Sequence, residues 1–385
     1  MIRAQSKQTS TRLVLVVNDP AFFLSHRLPI ALAAQQEGFV VHVATAYGPG
    51  IDRIAAMGLI HHILPLSRSG KNPLVELRGF IALYRLFRKI KPDIVHLVTI
   101  KPLLYGSIAA RLAGVPSVVA AVSGLGFVYL ASGLKAAFVR VVVSGMYRLV
   151  LGKHNLKVIF QNLDDRKTLM HDEALQADKV VMIRGSGVDL SAYTVIPAPK
   201  GLPVVAMVAR LLRDKGVYEY AAAAQILKQR GLMARFWLVG APDVGNPASV
   251  DEADLSTWYN SGVIELLGYK HDVAQVFAQS NIVVLPSYRE GLPKVLIEAA
   301  ACGRPVVTTD VPGCRDAIEP DVTGLLVPPR NAVALADAIQ RLLLDAELRA
   351  RMGQAGRRLA EREFSVEKVV AAHMAVYRKL METAT

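Results

Sequence analysis

The sequence predicts an α/β protein made of two doubly wound, parallel-sheet domains. Three observations carry this. First, runs such as Leu13-Val14-Leu15-Val16-Val17 and Ile282-Val283-Val284-Leu285 are apolar without alternation, as strands buried on both faces must be. Second, these runs alternate with segments of helical spacing along the chain. Third, 385 residues with 52% apolar content exceed what one core needs and supply two.

Taken in order, Leu13–Val17 reads as the first strand, Leu28–Gln36 as a helix ended by Gly38, and Val40–Ala44 as the second strand. Leu74–Ile90 has helical spacing until Pro92 stops it. Asp93–Val98 is a strand, Leu103–Ala113 a helix ended by Gly114, Ser117–Val122 a strand, Leu134–Leu151 a helix and Val158–Gln161 a strand. Pro197, Pro199 and Gly201 then punctuate a join near residues 185–200. The second series comprises strand Pro203–Val208, helix Gly216–Gln229, strands Arg235–Val239 and Val263–Leu266, and helix Val273–Gln279. It continues with strand Ile282–Leu285, helix Val295–Cys302, strand Pro305–Thr308, and helices Ala332–Leu344 and Leu348–Glu363. A last amphipathic helix spans Val366–Met381. The expected domains are residues 1–184 and 185–365, with residues 366–385 as a C-terminal helix. In open parallel sheets ligands bind beyond the carboxyl ends of the strands, so two such domains facing each other would make one cleft.

Composition narrows the function classes. Cys302 and Cys314 are too few for a disulfide framework or a four-ligand zinc site. The net charge of +13 lies wholly in residues 1–184, with 23 basic and 10 acidic side chains, whereas residues 185–385 hold 22 of each. No acidic residue occurs between Asp93 and Asp164. Such a surface attracts anionic lipid headgroups, phosphorylated ligands or nucleic acid. Leu112–Leu134 carries no charge, but Pro116, four glycines and three serines break it, so it reads as a buried strand and loop rather than a membrane span. Met1–Ser10 is polar and reads as a frayed end rather than a secretory signal.

The most specific motif is Glu290-Gly291-Leu292-Pro293-Lys294-Val295-Leu296-Ile297-Glu298. Glu290 follows a strand, and the Gly-Leu-Pro turn opens a helix whose free N–H groups suit an anion or sugar hydroxyls. Glu298 sits among Leu296, Ile297, Ala299 and Ala300, so its carboxylate needs partners. Carboxylates accept well from vicinal hydroxyls of a sugar or ribose. The second motif, Ala209-Arg210-Leu211-Leu212-Arg213-Asp214-Lys215-Gly216, follows the first strand of the second series and places Arg210 and Lys215 where a diphosphate would lie. Alone, a basic loop is a solvated turn; beside the two-glutamate motif it becomes a candidate site. No Gly-x-Gly-x-x-Gly follows Leu13–Val17 and no Gly-x-x-x-x-Gly-Lys-Ser/Thr occurs, which removes the usual grounds for a nicotinamide enzyme or a P-loop kinase. No His/Cys cluster has zinc spacing.

These residues resemble the retaining glycosyltransferases of family 4, with the GT-B architecture of two Rossmann-like domains facing across a cleft. The resemblance covers nearly the whole chain. Asn18-Asp19-Pro20-Ala21-Phe22-Phe23-Leu24-Ser25-His26-Arg27-Leu28-Pro29 and Ser123-Gly124-Leu125-Gly126-Phe127-Val128 are similar to a branch that extends undecaprenyl-diphosphate-linked oligosaccharides for capsule, O-antigen or glycoprotein glycans. The resemblance implies that Arg210, Lys215 and Glu290 are catalytic: the cations grip the donor diphosphate, and Glu290 orients the donor sugar with Gly291, Leu292 and Pro293. Glu298 would take the ribose hydroxyls, with Lys294 beside it, Tyr269 against the base and Ser186 near the phosphates. Asn18, His26, Arg27, His96, Ser123 and Gly124 would line the acceptor side. Many relatives place a histidine where this chain reads Ala121-Val122-Ser123-Gly124. Ser123 is no base at neutral pH, and His26 and His96 are equally candidates for structural roles, so no general base is assigned.

The expected reaction passes a sugar, an N-acetylhexosamine above a plain hexose, from a UDP-sugar to a lipid-linked oligosaccharide, without a metal or other cofactor. Its expected place is cytoplasmic, peripherally bound to the cytoplasmic face of the inner membrane, with Leu134–Leu151 as the membrane contact. The alternatives are a nucleotide-sugar 2-epimerase of the same architecture and, from another class, a nucleic-acid-binding protein. The second is disfavoured by an aromatic content of 6%.

Overall fold

A strand apolar on both faces has no side to give to water, so it must pair within a sheet covered by helices on both faces. Two such sheets form in the computed structural model, which describes residues 10–66, 73–125, 155–170, 175–243 and 245–383. The chain divides into two units. One comprises Met1–Phe160, Asp165–Ile183 and Val370–Thr385, and the other Gln161–Asp164 and Arg184–Val369.

In the first unit the order is β1 (Arg12–Val16), α1 (Pro20–His26), α2 (Leu28–Gln36), β2 (Val40–Thr45), α3 (Ile51–Ala56), β3 (Ile60–Ile63), α4 (Pro73–Ile90) and β4 (Ile94–Val98). Then come α5 (Ser107–Ala113), β5 (Ser117–Val122), β6 (Leu156–Phe160), α6 (Leu163–Met170) and β7 (Val180–Met182). The seven strands lie in the order β3-β2-β1-β4-β5-β6-β7, all pairs parallel, with Val14 opposite both His42 and Val95. Helix α5 is shorter than the predicted Leu103–Ala113 because Pro102–Gly106 forms a π-helical turn. The Leu134–Leu151 helix and Gly126, Phe127 and Val128 lie outside the described residues.

The second unit runs β8 (Val204–Val208), α7 (Val217–Gln229), β9 (Arg235–Val239), α8 (Glu252–Asn260), β10 (Glu265–Gly268), α9 (Val273–Ala278), β11 (Ile282–Leu285) and α10 (Lys294–Ala301). It continues with β12 (Val306–Thr309), β13 (Gly324–Val327), α11 (Ala332–Leu344) and α12 (Ala346–Leu359), and the chain ends on α13 (Val366–Glu382). Its six parallel strands are ordered β10-β9-β8-β11-β12-β13. Met207, Val283, Leu285 and Ile297 belong to a core of fully buried side chains. Helix α13 is shared: its residues to Val369 group with the second unit and the rest with the first.

The elements without a sequence signal have physical reasons for it. Strand β3 reads Ile-His-His-Ile at a sheet edge, and β7 has three residues. Strand β13 opens on Gly324, which looks like a turn; a Cβ there would stand 2.4 Å from the carbonyl oxygen of Val306. The strand expected at Val263–Leu266 is displaced to Glu265–Gly268, with a register shift between Leu266 and Gly268.

In each sheet the chain builds outward on one side of its first strand and then returns to build on the other. The reversal falls between β1 and β4, and between β8 and β11. There the following loops diverge and leave a crevice at the carboxyl ends of the strands.

Candidate active site

In the second unit, β8 and β11 are parallel, hydrogen-bonded neighbours, so the loops after them start side by side at the same end of the sheet. The loop after β8 carries Lys215 and the loop after β11 carries Glu290. The two form an ion pair with only 17% and 13% of their side chains exposed. Ser287 Oγ donates to the same Glu290 oxygen at 2.7 Å. The Glu290 backbone N–H donates to the Pro312 carbonyl at 3.0 Å, which ties the loop to the one after β12. Beneath it, burial and then the Glu290 carboxylate push the Cys314 thiol up to about 12. Charges shielded from water in this way interact more strongly than a pair on the open surface.

The Gly-Leu-Pro turn is held from two sides. Asn162 Nδ2 donates to the Gly291 carbonyl at 2.7 Å. Leu292 is buried, and a Cβ on Gly185 would stand 2.8 Å from its Cδ2. Gly185 and Gly187 therefore serve close packing, and the intervening Ser186 is buried. Helix α10 begins at Lys294 behind Pro293 with no side chain capping it, and the Leu296 N–H donates to the Pro293 carbonyl at 3.1 Å. Within α10, Glu298 is 7% exposed. The partners its burial demands are the Tyr193 hydroxyl, which donates at 2.7 Å, and Lys294 Nζ at 3.1 Å. Burial and the Glu298 carboxylate raise the ionisation of Tyr193 far above the phenolic range.

Arg210 is placed differently from its sequence neighbour Lys215. Its Nη1 donates to Asp243 Oδ2 at 2.7 Å, and 48% of its side chain is exposed. Tyr269 is 66% exposed and edge-to-face with His271, beyond β10 and two strands from β8.

In the first unit, the corner between α1 and α2 and the loop after β5 bring Arg27 and Ser123 together. Arg27 is fully buried; Nη1 donates to the His26 carbonyl at 3.0 Å and Nη2 to Ser123 Oγ at 3.4 Å. Burial lowers the guanidinium to about 10. Gly124 follows at φ +105°. The His26 ring stacks on Phe22 at 4.1 Å and its Nδ1 lies 2.7 Å from Ser25 Oγ. Asn18 stands directly beyond β1, its side-chain oxygen buried. His96 corrects an expectation of place. Expected to line the acceptor side, it lies in the middle of β4 and is fully covered. Its Nδ1 is 2.6 Å from the Tyr377 hydroxyl of α13. Burial, then His373 and Arg27, holds its ionisation well below the usual histidine range, so it stays neutral and docks α13 on the sheet. Among the described residues no group of three or more His, Cys, Asp or Glu could hold a metal ion.

Residues 194–359 match the family model "Glycosyl transferases group 1", and residues 12–162 match "Glycosyl transferase 4-like". Over 353 residues the chain is 32% identical to the N,N'-diacetylbacillosaminyl-diphospho-undecaprenol alpha-1,3-N-acetylgalactosaminyltransferase of Campylobacter jejuni, covering 86% of this chain and 91% of that one. The chain is a group 1 glycosyltransferase. The enzyme is also 27% identical to the UDP-Gal:alpha-D-GlcNAc-diphosphoundecaprenol alpha-1,3-galactosyltransferase of Escherichia coli, over 71% of this chain and 72% of that one. Among solved structures, sucrose-phosphate synthase from Thermosynechococcus elongatus superposes with a TM-score of 0.81 at 23% identity, covering 97% of this chain and all of that one. The fold is GT-B. Membership in a glycosyltransferase family decides for group transfer over epimerisation.

Of the glycosyltransferase's second-unit residues, Lys215, Glu290 and the Gly-Leu-Pro turn meet at the strand reversal, whereas Arg210 and Tyr269 stand at its outer side. Sequence reasoning missed Ser287, Tyr193, Asn162 and Gly313. Only Ser287 had a signal within reach, lying three residues before Glu290; the others arrive from distant segments.

Proposed function

We propose that the glycosyltransferase passes an N-acetylhexosamine from its UDP-sugar to an undecaprenyl-diphosphate-linked oligosaccharide, with retention, in surface-polysaccharide or glycan assembly. The shielded Lys215–Glu290 pair at the strand reversal is the observation that carries this reading. The printed activities of the Campylobacter and Escherichia coli relatives support the lipid-diphosphate acceptor, and the latter supports UDP. In this reading the second unit takes the donor and the first the acceptor.

Breaking the bond from the sugar's anomeric carbon to the phosphate oxygen leaves positive charge on the ring and puts the electron pair on the diphosphate. Lys215 lies where that charge grows, and Arg210 would exchange Asp243 for a phosphate oxygen. Glu290 and the backbone of Gly291, Leu292 and Pro293 orient the sugar hydroxyls, and Glu298 takes the ribose. The acceptor hydroxyl attacks from the face the diphosphate leaves, and its proton passes to the departing phosphate oxygen. No protein base is needed, which suits Ser123. Incubation of UDP-N-acetylhexosamines with a lipid-diphosphate sugar should yield a product of the same anomeric configuration as the donor. An inverted product would refute retention, and no transfer from any UDP-sugar would refute the donor assignment.

The same reading includes peripheral binding to an anionic membrane. No helix of the described residues is long and apolar enough to cross a membrane. Support comes from α4, where Leu74, Leu77 and Ile81 are exposed by 67%, 54% and 36%. The spacing places them on one stripe with exposed Arg78, Arg85 and Arg88. Sedimentation with phosphatidylglycerol vesicles should fall on Arg85→Glu plus Arg88→Glu, and further on Leu77→Ser plus Ile81→Ser. Unchanged sedimentation of all variants would take α4 out of the contact.

A further inference from the structure

Thr99 is the residue directly after β4, at the strand reversal of the first unit, and it holds φ at +74°. A β-branched residue there is strained by crowding between its side chain and the backbone. Its carbonyl accepts from the Leu103 N–H at 3.0 Å, so it sits where the following helical turn begins. A threonine in that place ordinarily turns its hydroxyl onto the free N–H groups of the helix. Here Oγ1 is buried with no hydrogen-bond partner among the described residues. The turn it introduces is the π-helical Pro102–Gly106, a departure that often accompanies function.

The neighbouring strand end shows the same oddity. Asn18 Oδ1 is also buried without a partner among the described residues. The ladder pairs Val16 with Leu97 and ends there, and Asn18 and Thr99 each lie two residues beyond that last pair, on neighbouring strands. Two orphaned polar atoms therefore stand at the carboxyl ends of β1 and β4. Leaving a buried polar group unmade is costly unless something arrives to satisfy it. A carboxamide oxygen needs a donor, and a threonine hydroxyl can give or take. A sugar hydroxyl does both, so it suits either atom. The Arg27 guanidinium, beside Ser123 and near His96, adds a buried positive field. The buried carboxylate at this end of the sheet is that of Asp165, which accepts from the Leu125 N–H at 3.2 Å.

We propose that Thr99 and Asn18 form a polar hold for a hydroxyl of the acceptor's terminal sugar, with the strain at Thr99 keeping its hydroxyl turned away from the helix. This rests on the transferase reading above and deepens its acceptor side. The hydroxyl is a specificity element that touches substrate and takes no proton.

The test uses the full chain with a UDP-sugar and a lipid-diphosphate sugar acceptor. Thr99→Val removes the hydroxyl and keeps the branch. Thr99→Gly removes both the hydroxyl and the reason for strain, so folding is not at risk. Thr99→Ser keeps the hydroxyl. Both Val and Gly variants should raise the acceptor KM about tenfold, the scale of one hydrogen bond. The donor KM and the slow hydrolysis of UDP-sugar in the absence of acceptor should stay within about twofold of wild type on the same scale. Thr99→Ser should restore the acceptor KM, and Thr99→Gly should melt at a higher temperature than wild type. Unchanged acceptor KM in the Val and Gly variants would overturn the proposal and leave only an ordered water in that place. Absence of transfer by the wild-type enzyme would instead refute the transferase reading, so the two failures are distinguishable.

Discussion

Lys215→Ala is expected to lower kcat by about 10²–10³ while UDP binding weakens only a few fold. Lys215 lies at the reversal between β8 and β11, shielded from water and paired with Glu290. In the ground state the diphosphate shares its charge with the sugar bond. In the transition state that bond's electron pair has moved onto it, so a shielded cation gains most at that moment. Removing Lys215 also leaves Glu290 in its place with Ser287 as a partner but without its cation, which orients the carboxylate less firmly. Steady-state kinetics with titration of UDP by calorimetry separates the effects. Equal losses in kcat and in UDP affinity would mean that Lys215 only binds. Arg210→Ala should have a smaller effect on kcat, because Arg210 is half exposed and already partnered by Asp243.

Gly313→Ala is expected to cost about 2–4 kcal/mol of stability, the range for overpacking a rigid site at positive φ. Gly313 holds φ +81°, and a Cβ would stand 2.5 Å from the Glu290 carbonyl oxygen and 2.7 Å from that of Gly291. Both are backbone atoms, so no side chain can move aside. The Glu290 N–H is bonded to the Pro312 carbonyl, and relieving the clash means breaking that bond and shifting Glu290 away from Lys215. The melting temperature should fall, and kcat per folded molecule should fall at least about tenfold, the cost of misplacing a reacting group by a fraction of an ångström. A variant that melts and turns over like wild type would show that this loop yields freely.

Strand and helix types were readable where a segment was a dense apolar run or kept a clear helical spacing. Ser117–Val122, Arg235–Val239 and Ile282–Leu285 stand where the sequence predicts them, as do helices Leu28–Gln36 and Ala332–Leu344. Edge and glycine-led strands were not readable, because β3 and β13 owe their place to their neighbours rather than to their own residues. His96 shows the limit at the site. A histidine in a strand is legible, but its burial under α13 and its bond to Tyr377 come from 281 residues away.

By itself the sequence determined two parallel α/β units, an excess of positive charge in the first, and the two-glutamate motif with its preceding cations. These follow from local composition and spacing, which act over a few residues. Only the tertiary structure decided which cation meets which carboxylate. Lys215 and Glu290 are 75 residues apart, and they meet because β8 and β11 lie side by side. Arg210, five residues before Lys215, turns instead to Asp243 beyond β9, on the other flank of β8. Strand order is set by the burial of whole sheets, a sum over many distant contacts that no single segment encodes.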